Sequence, residues 1–291
     1  MTKSNEKDVV DYYERYWTKF VQWWKADKTL GIHLPYYEKG VKTFEEAILN
    51  TNDFVGRLLG LDTKKSMRIL DAGCGVGGTS IYLAQKYPNV KFSGITISPG
   101  QIKLANKFAK ERHVNNVRFE VNNYIDTSFP DNYFDAVFAL ESISYAKDKR
   151  DFIHEMYRIL KPGSRLVIID GFFIGIPLNF FIKKIFKMWC EGRAVPTNAD
   201  HSLPNLILNL KRGRFKEINV MNLSKNVRRS ALRSLIIGIP FFISSMFKRI
   251  IKYGKYKPVE DANYFLGVSV FTFLLGLSGG FKYFAVTVVK S

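Results

Sequence analysis

Hydrophobic and polar positions divide the chain into three differently patterned stretches. In the first, seven of the thirteen residues from Tyr12 to Trp24 are aromatic. Positions 13, 16/17, 20 and 23/24 recur at helical spacing, which predicts a helix with one aromatic stripe. Thr43, with Glu46 three residues on, predicts a capped helix running to Leu59. From Met67 the pattern changes to short apolar runs separated by amphipathic segments. MRILDAG reads as a strand, GTSIYLAQKYP as a helix, VKFSGIT as a strand and PGQIKLANKFAKERH as a helix. VRFEVNN and FDAVFAL follow as strands, RDFIHEMYRILKPG as a helix stopped by Pro-Gly, and SRLVIID as a fifth strand. Regular alternation of strand and helix predicts a parallel sheet with helices on both faces.

The last stretch mixes bases with bulky apolar residues. FFIKKIFKMWCEG (180–192) has this pattern, and LPNLILNLKRGRFKEINVMNLS reads as a helix followed by a strand. Leu235 to Phe247 is uncharged over 13 residues and bracketed by Arg and Lys. As a helix it would span about 20 Å, short of a bilayer core of roughly 30 Å. Pro240 interrupts it. Tyr264 to Phe281 is uncharged for 18 residues, but Gly267, Gly276, Gly279 and Gly280 favour a buried helix plus turn over a span.

Composition sharpens the picture. Of 291 residues 46% are apolar and 15% aromatic, which excludes a disordered chain. Two cysteines, Cys74 and Cys190, exclude a disulfide framework and fit a reducing compartment. The first residues lack the apolar core of a secretory signal, so a cytoplasmic location is expected. The net charge is +18, and residues 173–291, with 19 basic and 5 acidic side chains, carry +14 of it. Such a field draws an anionic surface. Basic residues interleaved with apolar ones are the make-up of a membrane-interface element. Nucleic acid is the rival, but no Asn/Asp-Pro-Pro-Tyr/Phe run follows the fourth strand to hold a flipped base. The expected partner is therefore an anionic membrane, the protein being peripheral on it, with oligomeric state left open.

The chemistry lies in Ile69-Leu70-Asp71-Ala72-Gly73-Cys74-Gly75-Val76-Gly77-Gly78. A strand enters a glycine-rich turn and then a helix, whose unpaired N–H groups face any ligand. The spacing is neither the dinucleotide pattern nor a phosphate loop. An acid two residues before the first glycine favours a cationic ligand end. His33, His113, His154 and His201 show no paired metal spacing, so no metal is expected.

This run resembles motif I of the class I methyltransferases that use S-adenosylmethionine (SAM). GITISPGQ, FPDNYFDAVFALES and RILKPGSRLVIID resemble the later motifs in order. LGIHLPYYEKG, GITISPGQ and ALESISYA are most similar to the sterol C-methyltransferases, tocopherol methyltransferases and isoprenoid C-methyltransferases, and distantly to cyclopropane-fatty-acid synthases. The resemblance implies SAM as cofactor. Gly73, Gly75 and Gly77 would pass under its methionine part, with Asp71 toward the ammonium. Thr96, Ile97 and Gln101 would contact ribose and adenine, with Asn123 and Tyr124 at the adenine. It also implies Glu141 as the catalytic residue, at the end of the fourth strand. Relatives often carry Glu-His or Cys-His three and four residues later, where this chain has Ser144 and Tyr145. Tyr145 is taken with Glu141 as a catalytic candidate. The missing imidazole weighs against a cyclopropane synthase and against simple phenol O-methylation.

The expected fold is an α/β, Rossmann-like doubly wound methyltransferase core over residues 55–172, with a helical cap over 1–54. Residues 173–291 are expected to complete the sheet and add an apolar, basic lid. The expected function is SAM-dependent methylation of a hydrophobic acceptor, foremost C-methylation of an isoprenoid, sterol-like or prenylated ring lipid. The alternatives are N- or O-methylation of a small apolar metabolite, and a catalytically silent SAM-binding protein at a membrane.

Overall fold

The structure, a computed structural model, describes residues 3–175, 179–251, 261, 267 and 269–291. Its centre is a seven-stranded sheet in the order β3-β2-β1-β4-β5-β7-β6. The strands are β1 (Met67–Ala72), β2 (Val90–Thr96), β3 (Val117–Val121), β4 (Phe134–Leu140), β5 (Leu160–Phe173), β6 (Phe215–Asn222) and β7 (Phe281–Lys290). β1 to β5 pair in parallel, and β7 enters antiparallel between β5 and β6. The last stretch of the chain thus supplies two strands of the sheet.

Alternate residues of each strand face opposite ways, and the core divides accordingly. Ile69, Phe92, Phe138 and Val167 meet α3 (Phe44–Leu59), α4 (Gly78–Lys86) and α5 (Pro99–Glu111). Leu70, Ile95, Val137 and Ile168 meet α6 (Lys149–Ile159) and α8 (Leu203–Arg212) on the other face. Helix α3 carries the expected capping box, with Thr43 and Glu46 each accepting from the other's backbone N–H. Phe54, Val55 and Leu59 of α3 pack in the same core cluster as Ile69 and Phe92 of the sheet.

The helical start is α1 (Lys3–Trp24), followed by the single turn α2 (Ala26–Thr29). Tyr12, Tyr16 and Phe20 of the aromatic stripe are buried together. Three further helices follow β5: α7 (Phe180–Gly192), the long α9 (Ser224–Ile251) and α10 (Ser269–Leu277).

Two expectations are corrected. Pro162-Gly163 does not end the helix: α6 stops at Ile159, and the pair lies inside β5. The register with β4 slips there, Phe134 pairing Leu160 but Ala136 pairing Arg165. Gly163, at φ 75, supplies the positive angle this bulge needs. Pro240 likewise does not interrupt its helix, since α9 runs 28 residues through it. Pro240 and Ile236 are both exposed, so the Ile236 carbonyl that loses its N–H partner lies on the open side of the helix. Residues 224–248 of α9 are long and apolar enough to cross a membrane by length and composition. Of the 264–281 stretch, Tyr264, Phe265, Leu266 and Val268 lie outside the described residues; Ser269–Leu277 is a helix, and a turn leads from it into β7.

Candidate active site

A pocket opens at the carboxyl ends of β1, β2 and β4, where a doubly wound sheet leaves a crevice. Its floor is the turn after β1. Gly73 and Gly75 take φ 93 and 54, angles that a side chain would strain. A Cβ on Gly73 would sit 2.4 Å from Ser142 Cβ, so the turn after β4 packs directly on the turn after β1. Ser142 locks the contact by donating its hydroxyl to the Ala72 carbonyl at 2.6 Å.

Ten of the eleven residues singled out in the sequence line this pocket: Asp71, Gly73, Gly75, Thr96, Ile97, Gln101, Asn123, Tyr124, Glu141 and Tyr145. Gly77 is the exception. It caps α4 at φ 80, and a Cβ there would lie 2.5 Å from the Phe119 ring. Its glycine serves helix–sheet packing, and the neighbouring Val76 and Gly78 line the pocket instead.

The polar groups are held in defined poses. Thr96 donates to the Gln101 side-chain carbonyl at 2.8 Å, which leaves the amide N–H₂ as donor near Gly75. Asn123 donates to Glu6 of α1 at 2.9 Å, and its side-chain oxygen accepts from Ile125 N–H. The hydroxyl of Tyr124 donates to the Ser142 carbonyl at 3.0 Å, which fixes its ring as a wall. The hydroxyl of Tyr145 accepts from Tyr13 at 2.9 Å and donates to the Arg193 carbonyl at 3.3 Å. Burial raises the Tyr145 phenol well above its ordinary value, so it is a latch between α1 and the site and not a proton acceptor near neutrality.

Glu141 sits in a left-handed backbone at φ 50, an uncommon state for a non-glycine residue and one that clusters at functional sites. Its Oε1 accepts from Leu34 N–H at 2.6 Å and from the Tyr283 hydroxyl at 2.7 Å. Oε2 carries no hydrogen bond among the described residues. Burial raises this carboxyl to about 7. Asp71 is likewise pushed up to about 7 by burial, with only the Ser80 hydroxyl, 2.7 Å away, supporting its charge.

Among the lining residues that the sequence reading did not assign to the site, four carry polar or aromatic chemistry of note. Asp170, at the end of β5, is raised by burial to about 6 and accepts from Ser144 and Gly171 N–H. Its signal was present, because SRLVIID ends in an acid as MRILDAG does. His33 is pushed by burial down to about 4 and is therefore neutral at pH 7. Trp189 and Arg193 come from α7 and its end, with the guanidinium 5.3 Å from the indole centroid. Arg193 Nε is buried with no hydrogen-bond partner among the described residues.

The arrangement fits a ligand with a cationic end. Asp71, Glu141 and Asp170 are buried carboxyls whose charge is under-compensated, and they share the cavity with the glycine turn. Asp71 with the glycine turn would hold the amino-acid end of SAM, and Thr96, Ile97, Gln101, Asn123 and Tyr124 its nucleoside. Tyr12, Tyr13, Phe20 and Trp189 would face the methyl group and an apolar acceptor.

Known proteins agree with this geometry. Residues 63–201 match the family described as a methyltransferase domain. The chain is 36% identical over 175 residues to the 2-methyl-6-phytyl-1,4-hydroquinone methyltransferase of Synechocystis, covering 58% of this chain and 54% of that one. It is 30% identical over 179 residues to the chloroplastic tocopherol O-methyltransferase of Arabidopsis thaliana, covering 58% and 50%. These matches span about half the length of each relative. The geranyl diphosphate C-methyltransferase of Streptomyces coelicolor superposes with a TM-score of 0.72 at 17% identity, covering 100% of this chain and 99% of that one, which establishes a common fold. Residues 63–201 are thus similar to a methyltransferase domain, and the chain shares the fold of a solved C-methyltransferase.

Proposed function

We propose that the protein methylates a hydrophobic acceptor at carbon, an isoprenoid or sterol-like lipid or, foremost, a prenylated ring compound. One observation carries the reading. Glu141, a buried carboxyl raised to about 7, faces the same cavity as the rings of Tyr12, Tyr13, Phe20 and Trp189. When bound, SAM would supply an electrophilic methyl group, its thioether leaving in line as the acceptor bonds to the methyl carbon. The protein's work is then alignment and charge control. The aromatic walls exclude water and stabilise positive charge on the acceptor carbon as it is methylated. Glu141 accepts the proton that this carbon must lose, through the Oε2 that its neighbours leave open. Tyr283 and Leu34 N–H hold Oε1 and so fix the direction of the carboxylate. The relative named for a phytylated hydroquinone supports an acceptor of this class.

A second reading, O-methylation, is favoured by the tocopherol O-methyltransferase relative. Glu141 would there take a phenol proton. Incubation with methyl-labelled SAM and 2-methyl-6-phytyl-1,4-hydroquinone separates the outcomes. Label on a ring carbon supports the proposal, and label on oxygen replaces it with the second reading. SAM binding without transfer to this acceptor or to a total lipid extract refutes both and leaves a silent binder.

A further inference from the structure

Helix α9 presents a face that the other described residues leave exposed. Leu232, Ile236, Ile239, Ile243, Phe247 and Ile250 follow one another at steps of three and four residues, so they form one stripe. All six are exposed, Ile236 at 64%, Phe247 at 60% and Ile250 at 72%. The other side of the helix is firmly held. Phe241 meets Trp23 of α1 edge-on at 5.3 Å, and Phe242 meets Phe271 of α10 at 5.2 Å. Ser269 of α10 donates to the Ser234 carbonyl at 2.9 Å. The apolar stretch 224–248 is thus held to protein along one side and open along the other.

The charge carried by α9 itself has one sign, and Lys248 near its end pairs with Asp261 at 2.9 Å. Residues 224–251 contain no Asp or Glu, and Lys225 and Arg228 stand exposed at the start of α9. The neighbouring helix α7 adds two exposed phenylalanines, Phe180 and Phe181, beside exposed Lys183 and Lys184. The same helices wall the cavity: Trp189 of α7 lines the main pocket, and Ser269 of α10 lines the adjoining chamber with Glu141 and Arg193.

We propose that the exposed stripe of α9, flanked by its basic N-terminal end and by α7, docks the protein in the plane of an anionic lipid membrane. Charge decides between occupants. A second copy would bring one net-basic helix against another, whereas an anionic bilayer complements the charge and accepts the apolar side chains. Docking places the cavity-walling helices at the lipid surface, where a lipophilic acceptor is concentrated. The inference stands apart from the acceptor reading, because a polar acceptor would leave docking intact.

The test is co-sedimentation of the full chain with vesicles of phosphatidylcholine alone or with phosphatidylglycerol. Binding is expected to the anionic vesicles, falling as salt rises. The double variant Ile236→Glu/Ile243→Glu should lose at least tenfold in affinity with its melting temperature and SAM affinity unchanged, since both positions are exposed. Lys225→Gln and Arg228→Gln should each cost about fivefold, the equivalent of about 1 kcal/mol per charge at an anionic surface. Three results overturn the proposal: no binding even at low salt, equal loss to neutral and anionic vesicles when the stripe is charged, or a self-associating chain that the double variant renders monomeric. Loss of turnover with vesicle binding intact would strike the acceptor reading alone.

Discussion

Cofactor binding should be linked to proton release. Asp71 and Glu141 are raised to about 7 and Asp170 to about 6, all chiefly by burial. Near pH 7 the first two are therefore each about half protonated. A sulfonium and an ammonium entering the cavity favour the ionised carboxylates and lower these values. A carboxyl whose value falls on binding must release its proton, so affinity rises with pH. A group at about 7 that drops well below the working range contributes about tenfold between pH 6 and pH 8, and two such groups about a hundredfold. At pH 7 about one proton should leave per SAM bound. Calorimetry in two buffers of different ionisation enthalpy measures that proton directly. Asp71→Asn and Glu141→Gln should each remove about tenfold of the pH dependence. The reasoning is refuted if affinity is flat or falls from pH 6 to pH 8, or if no proton is released.

The same carboxyls and the backbone set four further expectations. Glu141→Gln keeps a side-chain oxygen for Leu34 N–H and Tyr283 but loses the base, so turnover should fall about a hundredfold or more, read in the labelled-methyl assay. Its effect on stability should have the opposite sign. Glu141 is raised from 4.5 to about 7 in the fold, so its contribution is fully present below about pH 4.5 and lost as pH rises through about 7. Without SAM, the melting temperature should fall between pH 5 and pH 8, and Glu141→Gln should recover up to about 3 kcal/mol at the upper end, read by denaturant titration. Gly73→Ala should cost about 3 kcal/mol or more and abolish SAM binding, because φ 93 strains a side chain and its Cβ meets Ser142 at 2.4 Å. Pro240→Ala should stabilise the protein by about 1–3 kcal/mol, since it restores a hydrogen bond inside a continuous helix. An unchanged or lowered denaturation midpoint would contradict that account.

What the sequence made legible is local. The run from Ile69 to Gly78 announces a strand, a turn and a helix because glycines at alternate positions supply the left-handed angles φ 93, 54 and 80 that most side chains avoid. The period of two in the strands and near four in the helices separates the two faces of the sheet without any partner being known. The two misread punctuation marks, Pro162 and Pro240, have a common cause. A proline costs an element less where the carbonyl it leaves unpaired faces solvent, and exposure is a property of the finished fold. The site was half legible for the same reason. Acids at strand ends can be found by pattern, Asp71 and Asp170 alike, because the sheet alone brings strand ends together. The pose of Glu141 cannot. Its two hydrogen-bond donors, Leu34 N–H and Tyr283, lie 107 and 142 residues away. Arg193 arrives on a segment with no periodic signal, and its guanidinium becomes notable only once the pocket closes around Nε. The half that holds a cofactor is thus encoded in contiguous motifs, and the half that faces an acceptor is assembled from both ends of the chain. This division explains why motif I and its neighbours point to SAM while the acceptor has to be argued from the cavity.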